Sequence, residues 1–384
     1  MKNSSASEIE KVLLRRYPSR IIYAPNYWQW FTHQKNHELL PYEIRHCQTL
    51  LDLYLYLGVD IFSRNIYADP KAYWFGGICD EIVDGFKMVE HYEYSGNDRV
   101  LFKEYRGPRK NLSEQLIYVH SDSTLVQKKF LITDYVKEFE IFMDFVNGRR
   151  WVFNKERFNE ISRTINRHGI IITGDFFSPL KMLHLAMGPV NSVYFLMEHP
   201  EKAARLLEIH ETAQLDIIRQ CVENGVKVVM SMDNLDAMFH PPDYVRAYSG
   251  SFYRKASSIC HDHDAHFFIH ACGQQKANLK LISSYRVDGL EGVAFPPLGD
   301  VELDDAMRET SPEFIITGGI SAMETRNLKT KREVFSYVEN LFRKMAPYRN
   351  RFIFSSSCNT AIDTSWETIL WFRDAWMKYK SLDY

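Results

Sequence analysis

From Gly169 onward, short apolar runs and helical stretches alternate in a regular way. GIIITGD (169–175), VKVVMSMD (226–233), HFFIHAC (266–272), GLEGVAF (289–295), FIITGGI (314–320) and FIFSSSC (352–358) are nearly continuous apolar segments rich in β-branched or aromatic residues. Segments of that kind read as strands of a parallel sheet, covered on both faces, and the β–α alternation itself implies such a sheet. The stretches between them carry helical spacing, as in 200–224, where Ala204, Leu207, Ile209 and Leu215 recur near helical intervals, and again in 330–345 and 365–379. Two further strands, RIIYAP (20–25) and VDIF (59–62), flank a helical stretch over 42–57. Eight such units point to a closed (β/α)8 barrel, the TIM barrel of the α/β class, rather than an open sheet.

One stretch departs from this rhythm. KMVEHYEYSGNDRVLFKEYR (87–106) alternates in steps of two on either side of Ser-Gly-Asn-Asp, which is a hairpin signal. An antiparallel hairpin inserted over about 86–120, in the N-terminal half of a single barrel domain spanning 1–384, is therefore expected. No Pro/Ser-rich linker, low-complexity tract or solenoid-period repeat argues for a second domain.

With 384 residues, 45% of them hydrophobic, the chain can bury a sizeable core without disulfide staples. Its six cysteines show no close-paired secretory spacing, and the polar N-terminus lacks a signal-peptide core. A reducing, cytoplasmic setting is the expectation. A formal net charge of −2 gives no footprint for nucleic acid or an anionic membrane, and the apolar runs are far too short for a membrane span. The aromatic content is high at 14%, which serves either core packing or a pocket for a ring-bearing ligand.

In a barrel of this kind, catalytic residues sit at the C-terminal ends of the strands. HFFIHACG places His270 and Cys272 two apart on an extended segment, on one face and roughly 7 Å apart at Cα. Zinc bonds of about 2.0 Å to nitrogen and 2.3 Å to sulfur let both side chains reach one ion. Gly273 permits a sharp exit from the strand, and FIFSSSC brings a further strand-end thiol, Cys358. Three protein ligands with one exchangeable position is the catalytic pattern for zinc, whereas four fixed ligands mark a structural site. A lone strand cysteine, by contrast, is usually a small core residue.

Several segments resemble the uroporphyrinogen decarboxylase superfamily, specifically its zinc- and corrinoid-dependent methyltransferase branch. They are SMDNLDAMFHPPDYVRAYSGSFYRKA, FFIHACGQ, DGLEGVAFPPLGDVELDDAM, FIITGGI and SSSCNTAIDTSWETI, with weaker likeness in RIIYAPNYW and LDLYLYLGVDIFSRN. The resemblance implies the same barrel, with zinc on His270, Cys272 and Cys358 and Glu291 as an exchangeable fourth ligand and catalytic group. Glu291 reads equally as a buried acid hydrogen-bonded inside the barrel. The decarboxylases themselves resemble this chain less. They need no metal and hold a carboxylated tetrapyrrole with an arginine-bearing segment after the first strand, whereas APNYWQWFTHQ here has none.

Asp233 and Asn234 follow the fourth strand; Asp233 is a candidate catalytic group and Asn234 a candidate substrate contact, although either equally caps the next helix. Asn26, Tyr27 and Trp28 follow the first strand as candidate substrate-binding residues. His261, His263 and His266 precede the fifth strand, at the end of the barrel away from the mouth, and read as solvated loop or helix-terminal residues. Asp264-Ala265-His266 fails the Asp-x-His-x-x-Gly corrinoid-carrier pattern, so a corrinoid would be carried by a separate partner protein. No Walker loop or HExxH is present.

Zinc is a redox-inert Lewis acid. In methyl transfer it either holds a thiol as thiolate or draws charge from the oxygen of a methyl ether. Two thiolate ligands favour the first. The aromatic richness and PPLGDVELDDAM resemble the ether-demethylating members. The expectation is therefore transfer from a small methylated substrate, an aromatic methyl ether, to the Co(I) centre of a corrinoid (cobalamin) protein. The alternatives are methyl-corrinoid transfer to a thiol such as coenzyme M or to a folate, a decarboxylase-like lyase, and a non-catalytic zinc barrel.

Overall fold

The computed structural model describes residues 4–63 and 77–381; residues 64–65 of the LDLYLYLGVDIFSRN segment lie outside them. Eight parallel strands make one sheet: β1 (Ile22–Tyr23), β2 (Ile61–Ser63), β3 (Gly169–Phe176), β4 (Val228–Ser231), β5 (His266–His270), β6 (Gly289–Val293), β7 (Ile315–Ile320) and β8 (Phe352–Ser356). Their lateral order is β1-β8-β7-β6-β5-β4-β3-β2, so sequence neighbours are spatial neighbours. The two ends of that order also meet. Asp60 N–H donates to the Tyr23 carbonyl at 2.9 Å, and Tyr23 N–H donates to Asp60 Oδ2 at 3.0 Å. Arg20 clamps the same carboxylate with two bonds of 2.6 Å, the bidentate geometry that a guanidinium favours. The sheet thus curls shut into the (β/α)8 barrel expected from the alternation.

Successive side chains on each strand divide between two cores. Ile22, Phe62, Ile172, Val228, Met230, Phe268, Ile315 and Ile353 fill the barrel, together with Ile9, Val12 and Leu13 from the helix Ser5–Leu13. That helix packs against β1, β2 and β3. The alternate residues Val229, Phe267, Ile269, Leu290, Ile316 and Phe354 pack outward under the helices. Each fully buried aliphatic or aromatic side chain of this kind contributes about 1.5–3 kcal/mol.

Two expectations need correction. The helical stretch over 42–57 divides into a 3-10 turn, Tyr42–Ile44, and a helix, Leu50–Leu57. Thr49 and Asp52 form a reciprocal capping box that restarts the helix, and Gly58 ends it at φ 65°. The excursion is larger than one hairpin. Lys87–Ser95, Asp98–Arg106, Asn111–Val119 and Thr124–Lys129 make a four-stranded antiparallel meander, and Cys79–Val83 pairs separately with Arg149–Phe153.

The meander packs Tyr105 and Leu112 into a cluster with the helices Phe139–Gly148 and Pro179–Glu198. At its other end His120 stacks on His37 at 4.0 Å, and Gln29 Nε2 donates to the Asp122 carbonyl at 3.2 Å. It therefore bridges the helix Trp28–Asn36, which follows β1, and the helix Pro179–Glu198, which follows β3. Both helices start at the C-terminal ends of their strands, so the meander stands beside the barrel mouth. Among the described residues no helix is long and apolar enough to cross a membrane.

Candidate active site

The mouth is assembled by close backbone approaches. After β5, Gly273 adopts φ +80°, and a Cβ there would lie 1.9 Å from Asp236 Oδ2. Only glycine lets the chain turn so closely against that carboxylate. Ala237 N–H donates to the Gln274 carbonyl at 2.7 Å, lacing the loop after β4 to the loop after β5. At the end of β6, Gly292 has φ +105°, and a Cβ there would meet the Ala271 carbonyl oxygen at 2.4 Å and the Ser357 carbonyl oxygen at 2.7 Å. Those carbonyls belong to the residues just before Cys272 and Cys358. A single missing side chain on β6 thus lets the two thiol-bearing strand ends converge.

His270 is 2% exposed, and its Nε2 lies 3.8 Å from Cys358 Sγ. Its Nδ1 contacts Glu291 Oε2, a partner that the register supplies because His270 stands directly across from Glu291 in the β5–β6 pairing. Two donors sharing a tetrahedral zinc with bonds of about 2.0 and 2.3 Å stand roughly 3.5 Å apart. The His270–Cys358 pair is close to that spacing, and nitrogen with sulfur is a zinc-type donor set. Glu291 meets the other ring nitrogen, where a carboxylate fixes imidazole orientation and tautomer. Cys272 is partly buried and within electrostatic range of Lys181. Among the described residues, no three His, Cys, Asp or Glu side chains are already gathered closely enough to enclose a metal ion.

The candidate substrate residues divide. Asn26 is buried and works as a fastener: its Nδ2 donates to the Cys358 carbonyl and to Asn359 Oδ1, each at 2.9 Å, and its N–H donates to Ser356 Oγ at 3.1 Å. It positions the Cys358 loop. Tyr27 is 2% exposed, packs against Trp30 and Tyr54, and shares a 2.8 Å hydrogen bond with the Tyr23 hydroxyl. Its ring lies in the core beneath the helices. Trp28 is partly exposed, and its buried Nε1 has no hydrogen-bond partner among the described residues.

Asp233 is fully buried, with Oδ1 accepting from Ser178 N–H at 2.8 Å and Oδ2 from the Tyr253 hydroxyl. Burial raises its pKa, and the hydrogen bonds from Tyr253 and Ser178 only partly offset this. Oδ1 thus ties the end of β4 to the start of the helix Pro179–Glu198, and Oδ2 ties it to the helix Gly250–Asp262. Asn234 is exposed, at φ 47°, and its carbonyl accepts from Asp236 N–H at 2.7 Å.

Sequence reasoning passed over a second group at the mouth. Lys181 lies in the first turn of the helix Pro179–Glu198, where Ser178 caps its N–H at 3.3 Å. His184, one turn further on the same face, meets His240 with its Nδ1 3.1 Å from His240 Nε2. Burial, reinforced by the charge of Lys181, lowers His184 to about 4; burial, His184 and Lys181 lower His240 to about 3. Both rings are therefore neutral at pH 7. The signal was present in SPLKMLHLAM: a lysine amid apolar residues, in a first helical turn whose dipole opposes it.

Of the histidines at the opposite end, His261 lies in the last turn of the helix Gly250–Asp262 and His263 caps it, as the helix-terminal reading expects. His261 Nε2 and His266 Nδ1 contact the two oxygens of buried Asp288 at 2.8 and 3.0 Å, and Arg15 joins at 2.7 Å; His263 alone of the three is exposed. A depression of about 590 Å³ lined by Asn159, Ser162, Arg163 and Asn166 also lies there, just before β3 begins.

Residues 153–379 match the family model described as uroporphyrinogen decarboxylase (URO-D), more than half of the chain. The chain belongs to the uroporphyrinogen decarboxylase family. The matched stretch carries β3 to β8 and with them His270, Cys272, Glu291 and Cys358. A solved structure titled methyltransferase from Methanosarcina mazei shares the fold with a TM-score of 0.61. The likeness covers 98% of this chain and 99% of that one at 11% identity. No curated protein matches this family member in sequence.

Proposed function

We propose that this member of the uroporphyrinogen decarboxylase family is a zinc-dependent methyltransferase that moves a methyl group from an aromatic methyl ether to the Co(I) centre of a separate corrinoid protein. The observation that carries the reading is the His270–Cys358 pair at the mouth, with its two ring-facing partners on opposite nitrogens. The fold shared with a protein titled methyltransferase supports it. His270, Cys358 and Cys272 would hold the ion. When bound, zinc would supply Lewis-acid withdrawal of charge from the group that gives up its methyl, which is worth several kcal/mol where that group leaves badly. Glu291 orients the His270 ring and is the nearest carboxylate to hold or pass a proton. Asn26 fixes the backbone of Cys358, and Trp28 offers an apolar face with one free donor.

The test has two parts. Protein purified without chelators from zinc-containing medium should carry about one zinc per chain, and Cys272→Ser and Cys358→Ser should each lose it while keeping the fold. Absence of zinc in the wild-type chain would overturn the metal assignment. Methoxylated aromatics, simple methyl ethers, methanol and methylated amines or thiols, each offered with a Co(I) corrinoid protein, should yield methyl-cobalt from the methoxylated aromatics. Reaction with only the others sinks the ether reading, and thiols acting solely as acceptors reverse its direction.

A further inference from the structure

Lys181 makes no hydrogen bond or ion pair through its ammonium among the described residues, although burial pulls its pKa down. The carboxylate that acts on it, Asp233, has both oxygens already bonded to Ser178 N–H and the Tyr253 hydroxyl. A lysine that loses its water without gaining a counter-ion is a cost to the fold, because a partly desolvated charge is stabilised only by a well-placed partner. The two rings beside it deepen the point. His184 and His240 are 8% and 1% exposed and hydrogen-bonded to each other, yet His240 Nδ1 is buried with no partner. The His240 ring is held by its own backbone as well, since Asn278 Nδ2 donates to its carbonyl at 2.8 Å. Among the described residues, one ammonium without an ion pair and one unsatisfied imidazole nitrogen thus lie within electrostatic range of each other, and the ammonium lies within that range of Cys272 as well.

We propose that Lys181, with His184 and His240 beside it, is a subsite for an anionic group on the methyl-bearing substrate, a carboxylate or a sulfonate, held apart from the reacting end near Cys272 and Cys358. This rests on the methyl-transfer reading for the identity of the substrate, but not for the existence of the anion site. The ammonium supplies the charge, and the neutral, mutually bonded imidazoles leave one N–H between them as a donor without adding a competing negative charge. A substrate with one anionic end and one methoxy end would be oriented by this distance alone, which fixes the reacting bond before any chemistry occurs.

The experiment uses the full-length zinc-loaded chain and three probes: 4-methoxybenzoate, 4-methoxybenzenesulfonate and neutral 4-methoxybenzyl alcohol. Calorimetric titration should show one or both anions binding at least tenfold more tightly than the alcohol. Lys181→Met should abolish that preference, and Lys181→Arg should keep most of it. Whichever anion is preferred identifies the head group. Without any probe, Lys181→Met should melt at the same temperature as wild type or higher, because it removes an unpaired charge; a structural ion pair would melt lower. Equal binding of all three probes, or a Lys181→Met variant that keeps the anion preference, overturns the subsite. Anion binding that depends on Lys181 without methyl transfer sinks the proposed reaction and leaves the subsite standing. Methyl transfer with no anion preference does the reverse.

Discussion

The two ends of the barrel use the same residue types to opposite effect. At the N-terminal end, Asp288 is buried but fully answered: Arg15 at 2.7 Å, His261 at 2.8 Å, His266 at 3.0 Å and the Phe267 N–H at 2.8 Å share its two oxygens. At the mouth, among the described residues, Lys181 is desolvated with no ion pair or hydrogen bond to its ammonium, and His240 keeps a buried nitrogen without a hydrogen-bond partner. Histidine near acid is thus no sign of function in itself. What separates a structural cluster from a site is whether its charges and donors are already satisfied inside the chain, since an unsatisfied buried polar group persists only where something else completes it.

The largest effect should come from opening the satisfied end. Asp288→Ala would leave Arg15, His261 and His266 without their shared acceptor, and breaking a buried pair of this kind costs about 3–5 kcal/mol. Urea unfolding measures it, with metal content as the control that should not change. Acid sharpens the same contrast. Burial pushes the Asp288 pKa up, but the hydrogen bonds from His261 and His266 and the charges of His266 and Arg15 outweigh it and hold the group well below the usual carboxylate range. Its contribution is therefore complete above the unfolded value of about 3.9 and drains away as the pH falls below that. Wild type should lose stability across that acid window more steeply than Asp288→Asn, and parallel curves would break the comparison.

A smaller effect is expected at the mouth. Glu291→Gln keeps a group against His270 Nδ1 but removes its charge, and loss of such an outer partner typically weakens metal affinity by about 10–100-fold. Competition against a chelator of known affinity gives the number. Unchanged affinity would mean that Glu291 does not act through the ring; complete loss of zinc would make it a direct ligand.

These contrasts were legible in the sequence to different depths. The barrel strands could be read because parallel strands covered on both faces must be apolar throughout, and each barrel strand named from the sequence falls where a βα unit begins. The approach of Cys358 to His270 follows from the strand-end positions of both residues, which the sequence already shows. The contact of Glu291 with His270 could not, because it depends on the β5–β6 register. The inward turn of the Tyr27 ring to Tyr23 and Tyr54 could not be read from its strand-end position, which says nothing of the side chain's direction. Lys181 stayed hidden because no helix was assigned to 179–198, so its place in a first turn facing His184 could not be seen. The meander was half-read, since only its first turn, at Gly96, carries a sharp signal; the Asn111–Val119 strand follows a looser connection.

The smallest expected effect separates the three histidines before β5 from one another. They look alike in HDHDAH, yet His261 bonds Asp288 whereas His263 ends the helix Gly250–Asp262 in solvent. His261→Ala removes one of several partners from a carboxylate that keeps Arg15, His266 and a backbone N–H. Its cost should be about 1 kcal/mol, the net worth of one hydrogen bond, rather than the full penalty of an orphaned charge. His263→Ala should change stability by no more than about 0.5 kcal/mol, as an exposed substitution does. Neither should alter zinc content or methyl transfer, because both lie at the opposite end of β5 from His270. Urea melts and metal analysis on the two variants decide the matter together. A His263→Ala protein as unstable as His261→Ala would show that partner count does not set the cost. Loss of zinc from either would place the metal at the wrong end of the barrel.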